Sequence, residues 1–474
     1  MASVIEKTIR KAVTPVITGV SEFNRKRLKD AQDNPFLHGI HTPMDGELTL
    51  KDLQVTGEIP TELDGTYVRI GPNPFGGLRQ GHHWFIGDGM VHGVRIKGGK
   101  AEWYRNRYIR SNDLEAEGGP KAVGGPRRGF GDTVNTNVLK MGDKTMALVE
   151  ASSFPVELDE HLESVAYSDF GGGLTGSFTA HPHQCADTGE FHAICYEGSD
   201  DKTIRHVAMD SSGRVLREAP IAVQHGPSIH DCALTSKHVV IFDLPVRFSM
   251  KTLIAGYRFP YRWQPEHGAR VGLIPRNGTE VRWVDVDPCY VFHIGNSFEK
   301  DDGTVVVDCC VYETMFDGEM PGPYGKSLGL ERWTITPGAT KVDRATLDTA
   351  GQEFPRPDER YFAKDYRYLW TMGLPEDENL EFVAPQPLYR HDLQTGEKVT
   401  RELGEGKVPG EFVFIPRSDD APEGDGWLVG YIIDRGSGTT DLAILDAATL
   451  SDVARIHMPH VIPPGFHGNW IAAS

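Results

Sequence analysis

Short β-forming runs, each closed by a turn signal, recur along nearly the whole chain and constrain its fold more than any other feature. Thr66–Ile70, Met90–Ile96, Thr145–Val149, His238–Phe242, Val305–Val311 and Trp427–Ile433 are brief and either apolar or alternating, the pattern of strands. Clusters such as Lys97-Gly98-Gly99-Lys100, Asp187-Thr188-Gly189, Asp210-Ser211-Ser212-Gly213 and Gln394-Thr395-Gly396 separate such runs and predict antiparallel hairpins. The 53 glycines and 31 prolines among 474 residues favour many short elements over long helices. No strand–helix alternation of the parallel kind appears. An all-β chain of this length must dispose of its sheet edges, and radial repetition does so. A β-propeller with degenerate blades is therefore expected. No strict repeat marks it, and the pattern alone leaves a large β-sandwich or two barrels open.

The reading divides the chain into an N-terminal amphipathic helical segment, residues 1–44, and a single catalytic domain, residues 45–474. In the first, Ile5, Ile9, Val13, Val16, Ile17 and Val20 recur at helical spacing beside Lys7, Arg10, Lys11, Arg25, Lys26 and Arg27, with Pro15 as a kink or a second start. Such a helix either lies at a lipid surface or packs on the body of the protein. In the second, Gly118–Asp132 reads as a long glycine-rich loop, and Pro355–Arg360 and Ser418–Gly426 as polar surface connections. A net charge of −18 argues against nucleic acid as a partner. The first residues lack the apolar core of a secretory signal, and no apolar run reaches the roughly 18 residues of a membrane span. Cys185, Cys195, Cys232, Cys289, Cys309 and Cys310 fit neither zinc spacing nor a disulfide scaffold. Buried, reduced thiols in a cytoplasmic protein are expected, with peripheral membrane contact left open. Oligomeric state is not legible.

No nucleophile elbow, phosphate loop or dinucleotide fingerprint is present. The informative residues are histidines, of which there are 19. His181 in FTAHP, His230 in SIHDCAL, His293 in CYVFHIGN and His467 in PPGFHGNW sit among apolar or turn residues. A neutral imidazole at the end of a buried strand suits a transition metal. Taken singly, each is equally a hydrogen-bonded core histidine. Spacing does not decide, because the four are scattered, and His183 shares a strand face with His181. His82, His83, His457 and His460 read as surface or loop residues. By pattern alone Glu150, Glu353 and Glu411 are solvated strand-end charges and Thr136 is a strand threonine.

In this order, these contexts resemble the carotenoid cleavage oxygenase family. The run Gly65-Thr66-Tyr67-Val68-Arg69-Ile70-Gly71-Pro72-Asn73-Pro74, followed by His83-Trp84-Phe85-Ile86-Gly87-Asp88-Gly89-Met90-Val91-His92, is similar to the family's opening signatures. The likeness extends over residues 45–474. It implies a seven-bladed β-propeller with a helical and loop cap over an axial metal site, where Fe(II) is held by four histidines and no carboxylate. By motif these are His181, His230, His293 and His467; the A-H-P context selects His181 over His183. The resemblance further implies that Glu150, Glu353 and Glu411 accept the far N–H of His230, His293 and His467 respectively, and that the Thr136 methyl crowds one open metal position.

The implied activity is insertion of O₂ across a C=C bond of a carotenoid or apocarotenoid, giving two carbonyl products. Stilbene or phenylpropene cleavage is the alternative. The phenolic branch commonly carries a lysine before the first of the three glutamates. Here that residue is Val149, which cannot hold a phenolate and so favours a polyene. Tyr104 and Tyr108 remain as phenol partners under the alternative. Trp84 and Phe85 are candidates to stabilise cationic character in a polyene, with plain core packing as the competing role. A non-redox isomerohydrolase and a bare binding scaffold complete the readings, and the full set of matching histidines and glutamates argues against the scaffold.

Overall fold

The computed structural model describes residues 16–28, 34, 36, 38–76, 81–127, 132–198, 200–318, 322–323, 325–375 and 383–473. Seven antiparallel sheets of four or five strands follow one another along the chain, the arrangement of a seven-bladed β-propeller. Blade 2 begins with Asn137–Met141, blade 3 with His183–Gln184, blade 4 with Cys232–Leu234 and blade 5 with Tyr290–Glu299. Blade 6 begins with Gln352–Pro357 and blade 7 with Lys407–Pro416. Blade 1 takes its innermost strand from the other end of the chain: Gly468–Ala472 pairs with Gly65–Pro72, Ala472 opposite Gly65 and Gly468 opposite Arg69. Early residues also complete blade 7, where Gln54–Gly57 pairs with Asp452–Met458. The ring is thus closed twice.

Burial falls off toward the outermost strands. In blade 5 the second strand, Val305–Tyr312, is buried throughout, whereas the outermost, Asp343–Asp348, is mostly exposed. This explains why apolar runs, rather than strict alternation, dominate the sequence: central strands are covered on both faces by neighbouring blades.

The opening signature has a structural reason. Arg69, buried, donates from Nη2 to the carbonyl of Pro463 at 2.5 Å, and Trp84 Nε1 donates to that of Pro464 at 3.1 Å. The Ile70 N–H donates to the His467 carbonyl at 3.1 Å, and the Phe466 N–H donates to the Ile70 carbonyl at 2.9 Å. The two motifs that looked most alike to the family therefore clamp the segment that carries His467.

Several expectations are corrected. Pro355–Arg360 is no polar surface connection: Gln352–Pro357 is an inner strand, and Asp358 beyond it is buried. His82 and His83 are buried, with His83 stacked on Phe259 at 4.5 Å between ring centres. Ser418–Gly426 is a turn-rich connection as read. All six cysteines are buried and free. Ile5, Ile9, Val13 and Pro15, and residues 128–131 of the glycine-rich loop, lie outside the described residues. Residues 16–25 are helical and dock through polar atoms: Ser21 Oγ, Asn24 Nδ2 and Arg25 Nε donate to the carbonyls of Leu253, Ile254 and Gly256. Val16, Val20 and Phe23 are left exposed. Among the described residues, no helix is long and apolar enough to cross a membrane.

Gly71 shows how tightly this clamp is built. A Cβ there would lie 2.4 Å from the Gly465 Cα, a backbone atom that cannot rotate away. Gly71→Val is expected to cost about 1–3 kcal/mol and to displace the His467 segment. Thermal unfolding read with and without divalent metal tests this, and an unchanged midpoint would contradict it.

Candidate metal centre

Blade 2 adds Glu150, just after its second strand, and each of the seven blades places one polar residue of the site on its innermost strand or just before it. In blade order from blade 2 these are Thr136, His181, His230, His293, Glu353 and Glu411, with His467 from the strand that closes blade 1. Three of these strands depart from regular pairing at the polar residue. Register shifts fall between Val291 and Ile294, between Glu353 and Arg356, and between Pro409 and Phe412. A bulge re-aims a side chain that a regular pleat would point into a neighbouring blade. At the second bulge Phe354 adopts a φ of 49° and stacks on His293 at 5.1 Å. A non-glycine residue in that conformation carries strain that the surroundings must hold.

The four histidines meet. One ring nitrogen from each of His181, His230, His293 and His467 lies within 4.8 Å of all the others, a grouping able to hold a metal ion. His230 Nδ1 is 2.6 Å from Glu150 Oε2, His293 Nδ1 is 2.5 Å from Glu353 Oε2, and His467 Nδ1 is 3.0 Å from Glu411 Oε1. A carboxylate can only accept, so each Nδ1 carries the proton and each Nε2 keeps its lone pair. Yet the Nε2 of His293 lies 3.1 Å from those of both His230 and His467. Bare lone pairs at that distance repel unless a cation or an extra proton lies between them. Two nitrogens bound about 2.1 Å from one ion at right angles would sit about 3.0 Å apart. His181 Nε2 is buried with no hydrogen-bond partner. An orphaned imidazole nitrogen beside three converging ones makes a donor set that suits a transition-metal ion.

Glu411 and Glu150 are held ionised. Burial pushes Glu411 upward, but Arg356, His467 and the Gly468 N–H outweigh it and bring its pKa down to about 2. Arg356 Nη1 lies 3.4 Å from Glu411 Oε1. Burial likewise opposes ionisation of Glu150, and His230, Tyr196 and Ser228 reverse it. Tyr196 Oη donates to Glu150 Oε1, and Ser228 Oγ to the same oxygen at 3.2 Å. Burial drives the His181 pKa far below the usual imidazole value, with the other three histidines adding to it. His467 is also lowered by burial. For His293 burial opposes charge, but Glu353 prevails and raises the pKa.

Thr136 borders the same site, its Oγ1 donating to Asn135 Oδ1 at 2.9 Å. His183 does not join the cluster: its Nε2 is 2.7 Å from Asp231 Oδ1, whose other oxygen accepts the Ile294 N–H at 3.0 Å. Asp231, Tyr196, Ser228 and Arg356 went unread in the sequence. Only Asp231, adjacent to His230, had a positional signal there.

A cavity of about 280 Å³ opens onto His230, His293 and His467. Its wall is mainly apolar, with Phe85, Phe259, Phe292 and Phe466 beside Val149 and Trp84. Tyr104 and Tyr108 do not line it. Tyr104 Oη is engaged with His92 Nδ1 at 3.0 Å, and Tyr108 Oη accepts from Asn73 Nδ2 at 2.6 Å. The tyrosines that do reach the wall are Tyr196 and Tyr261.

The family model described as retinal pigment epithelial membrane protein matches residues 41–472. The carotenoid cleavage oxygenase of Mycobacterium tuberculosis is 37% identical over 92% of this chain and 97% of its own length. The chain belongs to the carotenoid cleavage oxygenase family. The protein is accordingly an oxygenase. The carotenoid 9,10(9',10')-cleavage dioxygenase 1 of Arabidopsis thaliana is 30% identical, covering 92% of this chain and 89% of the relative. The crystal structure of the Pseudomonas brassicacearum lignostilbene dioxygenase superposes with a TM-score of 0.84 at 27% identity, over 93% of this chain and 99% of that one. Carotenoid cleavage oxygenases thus have both carotenoid- and stilbene-named members among this chain's relatives.

Glu353→Gln removes the charge that supports the His293 Nδ1–H while keeping the space filled. Glu353→Gln is expected to weaken divalent-metal affinity about 10–100-fold with the circular dichroism spectrum unchanged. A metal titration that superposes on the wild type would contradict this.

Proposed function

We propose that the protein is a non-haem iron(II) dioxygenase that cleaves a C=C bond of a carotenoid or apocarotenoid with O₂, yielding two aldehyde or ketone products. One observation carries the reading: four imidazoles converge their ring nitrogens, and three of them, His230, His293 and His467, line an apolar cavity. His181, His230, His293 and His467 would hold the iron, and Glu150, Glu353 and Glu411 would orient three of them. Iron(II) bound there supplies the activation of O₂ that an alkene, lacking an acidic proton or a leaving group, requires. The chain's own contribution is positional. The four ligands are neutral, so the ion keeps its full charge. The phenylalanine-rich wall excludes water and lays one double bond beside the ligand cluster. Thr136, its hydroxyl tied to Asn135, would place its methyl against one open position.

Val149 in the wall supports a polyene over a phenol, as does the engagement of Tyr104 and Tyr108 elsewhere. Stilbene cleavage is favoured by a different observation: Tyr261 reaches the cavity and could meet a phenolic hydroxyl. Exposed Val16, Val20, Phe23, Met250 and Ile254 lie on two docked helical segments. Arg258 to Tyr261, just beyond them, line the cavity. This supports peripheral contact with a lipid surface, the place where carotenoids dissolve.

Incubation of the iron-loaded protein with an apocarotenal and, separately, with a hydroxystilbene separates the readings. Aldehydes from the apocarotenal, identified by mass spectrometry, are expected; efficient cleavage of the stilbene alone would overturn the choice. His230→Ala and His293→Ala are expected to lose bound iron and activity together, and full activity in either would refute the ligand assignment.

A further inference from the structure

We propose that Arg258 selects substrates by binding a carboxylate at one end of the alkene, an inference that rests on the alkene-cleaving reading above. Among the described residues lining the cavity, Arg258 is the one lysine or arginine. No hydrogen bond or ion pair ties its guanidinium to any described residue, and its Nε is buried without a partner. The neighbouring cation is committed: Arg25 Nε donates to the Gly256 carbonyl at 2.8 Å and its Nη2 to Ser21 Oγ at 3.3 Å. Arg25 and Arg258 also repel one another. The wall's one carboxylate, Glu150, is taken up by His230, Tyr196 and Ser228.

A cation half-buried against apolar rings, beside a like charge and without a counter-ion, is costly to leave unpaired. An anion arriving with the substrate relieves that cost. A guanidinium presents a planar fork that matches a carboxylate bidentately, which an ammonium does not. Between Arg258 and the histidines the wall is aromatic, with Phe85, Phe259 and Phe292. The complementary molecule has an apolar unsaturated middle and one anionic end. A lipid phosphate would need the guanidinium turned outward, whereas its Nε is shielded from solvent.

The test uses polyenes of one chain length ending in carboxylate, aldehyde, alcohol or methyl, with the wild type, Arg258→Met and Arg258→Lys. The wild type is expected to favour the acid, and Arg258→Met to lose about 10–100-fold in kcat/KM on the acid alone, through KM. Arg258→Lys should recover part of the loss. A binding titration of metal-free protein, read by quenching of its tryptophan fluorescence, should weaken by the same factor. Equal losses on all four ends would overturn the proposal. So would an intact end-group preference in Arg258→Met accompanied by loss of binding to anionic vesicles. Should the wild type cleave none of the four, tighter binding of the acid that disappears in Arg258→Met would support Arg258 while the cleavage reading falls. Equal binding of all four would overturn the proposal itself.

Discussion

The structure depends on imidazole nitrogens that face one another at the propeller axis with their lone pairs exposed. Three carboxylates accept hydrogen bonds from the Nδ1–H groups of His230, His293 and His467, and this commits the Nε2 atoms to face inward, bare, 3.1 Å apart along the His230–His293–His467 row. Such an arrangement is repulsive by itself and stable around a cation. In its absence, an additional proton on His293 would serve, and Glu353 raises that residue's pKa in the direction required. The carboxylates can act in this way because each is held by further donors: Glu411 by Arg356 and the Gly468 N–H, Glu150 by Tyr196 and Ser228, and Glu353 by the Phe354 N–H.

A propeller suits this chemistry because its seven innermost strands converge on one line while each blade keeps its own core. The four histidines come from blades 3, 4, 5 and 1, and the carboxylates that accept from three of them from blades 2, 6 and 7. No single blade holds both a histidine and its carboxylate, so the site forms only when the ring closes. Closure depends on the strand Gly468–Ala472, which follows His467 directly. Metal binding and ring closure should therefore reinforce one another.

Much of the fold was legible because hairpin turns and apolar runs are local signals. The blade count was not, because the blades share no repeat and only the family resemblance supplied the number seven. Pro355–Arg360 was misread as surface because its proline and charges look polar. In the structure, past the bulge at Glu353 the strand turns Pro355, Pro357 and Asp358 into the core, and Arg356 finds Glu411 there. His83 was misread because its burial comes from Phe259, far along the chain. The four histidines could be singled out by context, but their meeting is a property of ring closure, which no local pattern encodes. Arg258 gave no signal at all: an arginine between aromatic residues reads as surface until a cavity is seen beside it.

X-ray absorption spectroscopy of the iron(II)-loaded protein tests the central claim most directly. The account predicts a first coordination sphere containing four imidazole nitrogens and no protein carboxylate. A spectrum that requires a bound carboxylate oxygen from Glu150, Glu353 or Glu411, or fewer than four imidazoles, would contradict it.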